Sequence, residues 1–264
     1  MKRAQLFEFN DLEWVGPDLR DSIVESLSRT LRWGGVLREL VAPFRAFLDE
    51  AGTHEVLDLC CGAGGPAEIL AAEFRRSGDR SPRFILTDLF PRVLAWERAR
   101  AADPESIDFF PEPVDATRIP DSLGRGRARV VINAFHHFPP EIARSILADA
   151  ARSGASIFIS EPFDRNPLRF VPWAPMGIAA AMANPVLTPE PRLGKFLITW
   201  FSPVMLSVSA WDGFVSTLRI YTEADLREMV APFGERYRWE FGRYRYFPLG
   251  RGYYFYGVPD GVAR

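Results

Sequence analysis

The segment from residue 55 to residue 65 reads EVLDLCCGAGG, an apolar run that closes on three glycines. A short apolar run bounded by a turn signal is typical of a buried strand, so we predict a β-strand over Glu55–Cys60. A helical pattern follows from Pro66 to about Arg76, with proline in its first turn. Glycine lacks a Cβ atom, so a ligand can touch the backbone of the turn. The segment predicts a strand, a glycine turn and a helix with a ligand crevice, or else a tight turn that binds nothing.

The same alternation continues on the C-terminal side of this segment. Further strands are predicted at Phe84–Thr87, towards Val114-Asp115, at Ala128–Asn133 and at Ser156–Ser160, and helices at Pro91–Ala101 and Pro139–Ala151. Strands that alternate with helices predict parallel βαβ units. Two late aromatic runs, Tyr237–Phe241 and Tyr253–Val258, are too close for a parallel crossover, so we expect an antiparallel hairpin. The pattern predicts an α/β fold with a mostly parallel, seven-stranded sheet.

We divide the chain into four segments. They are an N-terminal helical cap (1–50), a core (51–162), an apolar insertion (163–221), and a C-terminal helix and hairpin that complete the core (222–264). Thr222 and Asp225 form a capping-box pattern at the start of that last helix. The insertion holds 20 consecutive uncharged residues from Phe170 and 16 from Phe196. Its prolines argue against a membrane-spanning helix, and we expect an apolar lid.

Charge and cysteine content narrow the functional classes. The 32 basic and 34 acidic side chains give a net charge of −2, so no nucleic-acid partner is expected. The only two cysteines, Cys60 and Cys61, are adjacent and cannot form an ordinary disulfide. Acidic residues among the first fourteen argue against a secretory signal. We expect a cytoplasmic protein, and the oligomeric state is left open.

The glycine turn also satisfies a relaxed dinucleotide fingerprint. Gly62, Gly64 and Ala67 have its spacing, and Asp88 lies where a ribose-binding acid is expected. An NAD-dependent oxidoreductase is therefore an alternative. Asp58 before the turn, Asp115 in the third strand region and the antiparallel hairpin favour a different ligand.

The motifs VLDLCCGAGG, LTDLF, PVDATRIP, VVINAFHHFPPE and GASIFISEP follow one another along residues 54–162. In this order they resemble the class I methyltransferases that use S-adenosyl-L-methionine (SAM). More narrowly, HHFPPE, RNPLRF and WDGFVSTLRIYT resemble an uncharacterised bacterial branch of small-molecule type with an apolar insertion after the fifth strand. The resemblance implies a Rossmann-like methyltransferase fold, SAM as cofactor, and methyl transfer to a small acceptor by in-line displacement.

The resemblance also implies cofactor contacts after the carboxyl ends of the strands. These residues are Asp58, Cys60, Gly62, Gly64, Gly65, Asp88, Leu89, Asp115, Ala116, Asn133, Ala134 and Phe135. In the family pattern Asp58 helps to hold the methionine end, Asp88 accepts both ribose hydroxyls and Asp115 receives the adenine amino group. As alternatives, Asp88 caps the helix after Pro91, and Asp115 closes an Asx turn. The cysteine pair is expected to fill space in the turn, with a tuned thiol as the alternative.

Three residues are candidates for proton transfer. His136 and His137 follow the fourth strand, and Glu161 ends the fifth. An imidazole can accept a proton from an acceptor hydroxyl, and a carboxylate can do the same. Alternatively, one histidine packs while the other bonds a loop, and Glu161 caps the insertion backbone. The oxygen ligands around these strand ends are too few for a metal, so none is expected.

Aromatic and methionine side chains suggest a lipophilic substrate. The candidates for substrate contact are Trp14, Trp33, Trp173, Met176, Trp200 and Trp211. Such side chains form adaptable apolar pockets, although each could equally pack in an ordinary core. We therefore expect a small hydrophobic acceptor. The alternatives are peripheral contact with the inner membrane surface, or a non-catalytic SAM-binding protein whose lid docks a partner or membrane.

Overall fold

A computed structural model describes residues 2–79, 82–234 and 236–261, so Met1 and residues 262–264, the ends of two predicted segments, lie outside it. The chain forms two compact units. We call Met1–Val36, Phe163–Ile220 and Arg245–Arg251 the helical unit. The remainder, Leu37–Pro162, Tyr221–Tyr244 and Gly252–Arg264, is the sheet unit.

Helices and strands alternate through the sheet unit as predicted. The strands are β1 (Glu55–Asp58), β2 (Arg83–Leu86), β3 (Ile107–Phe109), β4 (Ala128–Ile132), β5 (Ile157–Glu161), β6 (Tyr237–Tyr246) and β7 (Gly250–Pro259). The helices of this unit are α2 (Val41–Ala51), α3 (Gly65–Arg76), α4 (Val93–Ala102), α5 (Asp121–Gly124), α6 (Pro140–Arg152) and α11 (Glu223–Val230). The predicted capping box is present, because Thr222 and Asp225 bond each other's backbone at the start of α11.

The seven strands form one sheet in the order β3-β2-β1-β4-β5-β7-β6. Strands β1 to β5 pair in parallel, whereas β7 pairs antiparallel with β5. This confirms the predicted mostly parallel sheet with an antiparallel C-terminal hairpin. Asp58 pairs in register with Leu86 and Val130, so the carboxyl ends of β1, β2 and β4 meet at one edge.

One predicted strand lies in the wrong place. The third strand is Ile107–Phe109 and pairs with β2, while Val114-Asp115 is a loop. Pro111 and Pro113 lack the backbone N–H that a ladder needs, so the strand ends before them. Val114 N–H still donates to Asp88 O at 2.9 Å, which holds the loop at the carboxyl edge.

Helix α2 lies in the sheet unit, although the sequence placed it in the cap. Its Phe44 and Phe47 are fully buried, and the Phe44 ring lies 5.0 Å from that of Phe158 on β5. Burial of two phenylalanines against the sheet contributes several kcal/mol, about 2 kcal/mol for each ring. This packing explains why the first unit ends its N-terminal part at Val36.

The helical unit contains the N-terminal residues and the insertion. Its helices are α1 (Pro17–Trp33), α7 (Ala174–Met182), α8 (Asn184–Leu187), α9 (Leu193–Trp200) and α10 (Val204–Arg219). Ile23, Ala181, Met205 and Val208 form its buried apolar cluster. An amphipathic pattern on α1 and uncharged stretches elsewhere provide these faces.

Polar contacts also cross the helical unit. The buried Lys195 ammonium donates to Glu25 Oε1 and to Thr188 Oγ1, each at 2.8 Å. The N-terminal strand-like segment is tied to α10, because Ala4 N–H donates to Leu218 O and Phe9 N–H donates to Asp212. These bonds fix the start of the chain to the insertion.

Within the described residues, no individual helix has the length and apolar character needed to cross a membrane. Helices α9 and α10 meet that criterion only as a pair, by length and composition, and they are bent by 76°.

Candidate active site

The turn between β1 and α3 has an unusual backbone. Cys60, Gly62 and Gly64 all have positive φ angles, 61°, 56° and 87°. A Cβ atom on Gly64 would lie 2.9 Å from Leu86 Cδ1, so only glycine fits there without a shift. At Gly62, in contrast, no heavy atom lies within 4 Å of the Cβ position. The turn therefore presents open backbone at the carboxyl edge, as a ligand-binding turn requires.

Asp88 holds this turn from the end of β2. Its Oδ2 accepts from Gly62 N–H at 2.8 Å, and its Oδ1 accepts from Phe90 N–H at 2.9 Å. The alternative that Asp88 caps the following helix is wrong, because α4 begins after Arg92 with no side-chain cap. The carboxylate instead orders the glycine turn and remains at the crevice.

Trp96 on α4 is a supporting residue that sequence reasoning missed. The fully buried indole donates from Nε1 to Gly62 O at 2.8 Å. A buried tryptophan usually needs an acceptor, and here the acceptor is the turn itself. Gly62 is thus fixed on its N–H by Asp88 and on its carbonyl by Trp96.

Asp58 is the buried acid of the site, with 1% of its surface exposed. Burial, and then the negative charge of Asp88, raise its pKa well above the ordinary value. Its Oδ2 is buried and accepts no hydrogen bond in the part of the chain that the structure describes. A buried acceptor without a donor is costly, so this oxygen is suited to a ligand donor.

The adjacent thiols lie among carboxylates. Burial raises the pKa of Cys60, and the charges of Asp88, Asp58 and Asp115 raise it further. Burial also raises the pKa of Cys61. A nucleophilic cysteine needs the opposite shift. The environment therefore favours the space-filling role over the tuned thiol, and it places the three acids around Cys60.

Asp115 adopts the Asx turn that the sequence left as an alternative. Its Oδ1 accepts from Thr117 N–H at 2.8 Å and from Thr117 Oγ1 at 2.7 Å. The neighbouring Ala116 is buried, whereas Leu89 on the adjacent loop is half exposed. The Asx turn fixes Asp115 near the turn, and its adenine contact stays a prediction.

The carboxyl end of β4 carries a second positive φ angle outside glycine. Asn133 has φ 57°, and its N–H donates to Ser160 O at 2.8 Å. Such strained residues cluster at functional sites. Ala134 is half-buried, and the Phe135 ring is fully buried, 5.5 Å from that of Tyr221. This backbone forms the floor that the resemblance implies beside the turn.

His136 and Glu161 form a buried pair that the sequence had proposed only as separate candidates. His136 N–H donates to Glu161 Oε1 at 2.9 Å, and its ring Nδ1 lies 2.8 Å from Oε2. The two side chains are 3% and 0% exposed. Because an ionised carboxylate only accepts, Nδ1 carries the proton and the lone pair of the neutral ring lies on Nε2. Glu161 therefore does not cap the insertion backbone in these bonds.

The second histidine stacks beside this pair. The His137 ring lies 4.3 Å from the His136 ring, centroid to centroid, and its side chain is half-buried. Direct fixation by Glu161 distinguishes His136 from its neighbour as the better-oriented proton acceptor.

The six predicted substrate residues all lie in the helical unit, in different environments. Trp14, Trp33 and Trp200 are exposed by 74%, 46% and 42%. Trp173 is buried in that unit, with its ring 4.6 Å from that of Tyr246. Met176 and Trp211 are half-buried, and Trp211 donates to Phe7 O. Their substrate role stays a prediction.

Comparison with known proteins gives the fold and not the sequence family. No family model matches the chain, and no curated protein matches it. Its structure is similar to that of the trans-methyltransferase CalH in complex with SAH, with 13% identity and a TM-score of 0.50. That match covers 88% of this chain and 58% of CalH, so the chain spans less than two thirds of CalH.

Two further structures are similar at lower scores. A SAM-dependent methyltransferase from Aquifex aeolicus has 13% identity and a TM-score of 0.48, covering 92% of this chain and 99% of that one. Magnesium protoporphyrin IX methyltransferase (ChlM) from Synechocystis PCC 6803 has 16% identity and a TM-score of 0.45, covering 93% and 88%. The chain has the class I methyltransferase fold.

Proposed function

We propose that this protein is a SAM-dependent methyltransferase that acts on a small hydrophobic acceptor. The observation that carries the proposal is the glycine turn with Asp58 and Asp88 at the carboxyl edge of a sheet whose last strand is antiparallel. Open α/β sheets bind their ligands at this edge. A wholly parallel dinucleotide-binding sheet would not contain β7 in this orientation, which weighs against the NAD alternative.

The residues of the crevice fit this cofactor. Each Asp88 oxygen accepts one backbone bond, and a carboxylate oxygen has a second lone pair, so two hydroxyls of a ribose can still bind. The partnerless Asp58 Oδ2 suits the amino group of a methionine end. Gly62 leaves room for close approach. When bound there, SAM supplies an electrophilic methyl group on a positively charged sulfur.

His136 would accept the proton that the acceptor loses. Glu161 fixes both the backbone and the ring of His136, so Nε2 is presented in one orientation. A positioned base of this kind contributes about 10²- to 10⁴-fold in rate. The proton then resides on Nε2, and the negative Glu161 stabilises the imidazolium that results.

The acceptor is proposed to be hydrophobic on the character of the helical unit. Residues 170–189 contain no charge, and Trp14, Trp33 and Trp200 expose apolar rings there. Large exposed apolar side chains mark surfaces that bind lipophilic molecules or partners. A stable partner complex with no methyl transfer would instead favour the non-catalytic alternative.

Calorimetric titration with SAM and S-adenosylhomocysteine, with NADH as the control ligand, tests the cofactor. We expect both sulfur ligands to bind and NADH not to bind. Asp88→Ala should weaken SAM binding by about 100-fold, since two hydrogen bonds to a charged group are lost. The matched control, Asp121→Ala, removes an exposed acid at the opposite edge of the sheet and should leave SAM affinity unchanged. NADH binding, or an unchanged affinity in Asp88→Ala, would contradict the proposal.

A further inference from the structure

A second cavity lies in the sheet unit, at the amino edge of the sheet. Three turns line it: α2 to β1 (51–53), α5 to β4 (124–127) and α6 to β5 (152–156). Its volume is about 560 Å³, within the range of small-molecule sites. Because the strands are parallel, this edge is opposite to the one that carries the glycine turn.

The cavity is lined by arginines. Arg125, Arg127, Arg129 and Arg152 all contribute, and Asp121 is the single acidic residue in the lining. Guanidinium groups bind phosphate and carboxylate oxygens in a bidentate fork. The lining therefore favours an anion.

Arg129 is the fixed element of this cluster. Its side chain is 2% exposed, and its terminal nitrogens donate to Asp149 Oδ2 at 2.7 Å and Ser153 Oγ at 2.8 Å. Its Nε is buried and has no acceptor within residues 2–79, 82–234 and 236–261. A buried cationic donor without an acceptor indicates a missing partner.

Arg127 shows the same feature. One terminal nitrogen donates to Leu123 O at 2.6 Å, while Nε lies 4.0 Å from Glu55 and has no hydrogen bond to any described residue. This contact with the end of α5 is what a helix C-terminus favours from a cation. It uses one nitrogen of this side chain and leaves the Nε donor.

The remaining two arginines are exposed. In the described part of the chain, no carboxylate lies within 4.0 Å of the guanidinium nitrogens of Arg125 or Arg152. Gly126 and Gly154, beside them, have φ angles of 75° and 66° and open space at their Cβ positions. Backbone N–H groups of the two turns are therefore accessible to a ligand between the side chains.

We propose that this cavity, hereafter the amino-edge cavity, binds a small phosphate-bearing anion. Arg129 and Arg127 would fix the phosphate through their Nε donors, and Arg125 and Arg152 would close on it from the exposed side. The site uses none of the residues of the glycine turn, so it does not depend on the proposed methyltransferase activity.

Titration of the whole protein with inorganic phosphate and with glycerol 3-phosphate, at constant ionic strength in chloride, tests this. We expect saturable binding that the double variant Arg125→Ala/Arg152→Ala weakens by about 100-fold, roughly tenfold for each charged contact. Both side chains are exposed, so the fold should tolerate the change, as unfolding by urea would verify. SAM affinity of the variant should not change.

Two matched variants complete the test. Arg144→Ala removes an exposed arginine from the same helix, α6, and should leave phosphate binding within twofold of the parent. Asp121→Ala removes the acid from the lining and should tighten binding by about twofold. Tighter binding of glycerol 3-phosphate than of phosphate would identify a phosphorylated metabolite, and equal binding the free ion. Affinity that is unchanged in the double variant, or that falls equally in Arg144→Ala, would overturn the proposal.

Discussion

The two edges of the parallel sheet carry opposite charge. At the carboxyl edge Asp58, Asp88 and Asp115 surround the glycine turn, whereas arginines line the amino-edge cavity. Both distributions suit the helix ends at each edge, because acids are stable near helix N-termini and cations near C-termini. The functional difference lies in the atoms that no described residue satisfies: an acceptor at Asp58 on one edge, and the Nε donors of Arg127 and Arg129 on the other.

The comparison teaches that one fold can offer two sites of different chemistry without a new element. Parallel pairing places every strand end of one kind at the same edge. Residues that follow the strands can then be acidic and those that precede them basic. The experiments below separate what each edge contributes.

The largest effect is expected from Glu161→Gln at the carboxyl edge. The amide cannot accept both bonds of His136 or stabilise its protonated ring, so methyl transfer should fall about 100-fold. The measurement is transfer from methyl-labelled SAM to a panel of apolar phenols, with SAM affinity determined in parallel. SAM affinity should remain within twofold of the parent, because the residue lies outside the predicted cofactor contacts.

His137→Gln is the matched control for that experiment. His137 is the neighbour that Glu161 does not fix in the bonds described above, so its loss should reduce the rate much less. A larger loss in His137→Gln than in Glu161→Gln would reverse the roles of the two histidines.

A smaller effect, on stability, should distinguish the glycines of the two edges. Gly64→Ala combines a φ of 87° with a 2.9 Å approach to Leu86, so we expect a loss of about 2–3 kcal/mol. Gly126→Ala has a φ of 75° with no neighbouring atom within 4 Å, so only the backbone cost of about 1 kcal/mol applies. Urea unfolding measures both, and equal losses would show that Leu86 yields freely.

How far the sequence predicted the molecule depends on the distance over which each feature acts. The β1 strand, the glycine turn and the capping box at Thr222 are local and were predicted, as was the hairpin that chain connectivity forces. The third strand was misplaced because Ile107–Phe109 is only three residues long and its pairing with β2 is not visible in its own pattern.

Features that join distant residues were not predictable from periodicity. Trp96 bonds Gly62 across 34 positions, and Glu161 bonds His136 across 25. Both histidine and glutamate were candidates by their place after strands, but no sequence pattern paired them. The amino-edge arginines lie in three separate turns, so only the fold brings them to one cavity.

The smallest effect is expected from Asp58→Asn. The folded-state pKa of Asp58 is raised by burial and by Asp88, so its contribution to stability is complete below the ordinary pKa and falls as pH rises through the raised value. The substitution should remove this decline and stabilise the protein at neutral pH by about 1 kcal/mol. Urea midpoints between pH 4 and pH 8 would measure it.

Asp108→Asn on β3 should act in the opposite direction. Slight burial raises the pKa of Asp108, but the hydrogen bond and charge of Arg83 outweigh it and the pKa is lowered. Stability from Asp108 is therefore present at neutral pH and is lost as pH falls through the lowered value. If both variants changed stability in the same direction, partner charges would not account for the difference between the two acids.

The burial of Lys195 has a practical consequence for labelling. The chain has two lysines, and Lys195 is enclosed with Glu25 and Thr188, whereas Lys2 is exposed. An amine-reactive fluorophore should therefore attach to the Lys2 side chain and leave that of Lys195 unmodified while the protein is folded. Because Ala4 is bonded to Leu218, that dye would report by its anisotropy when the first residues detach from α10.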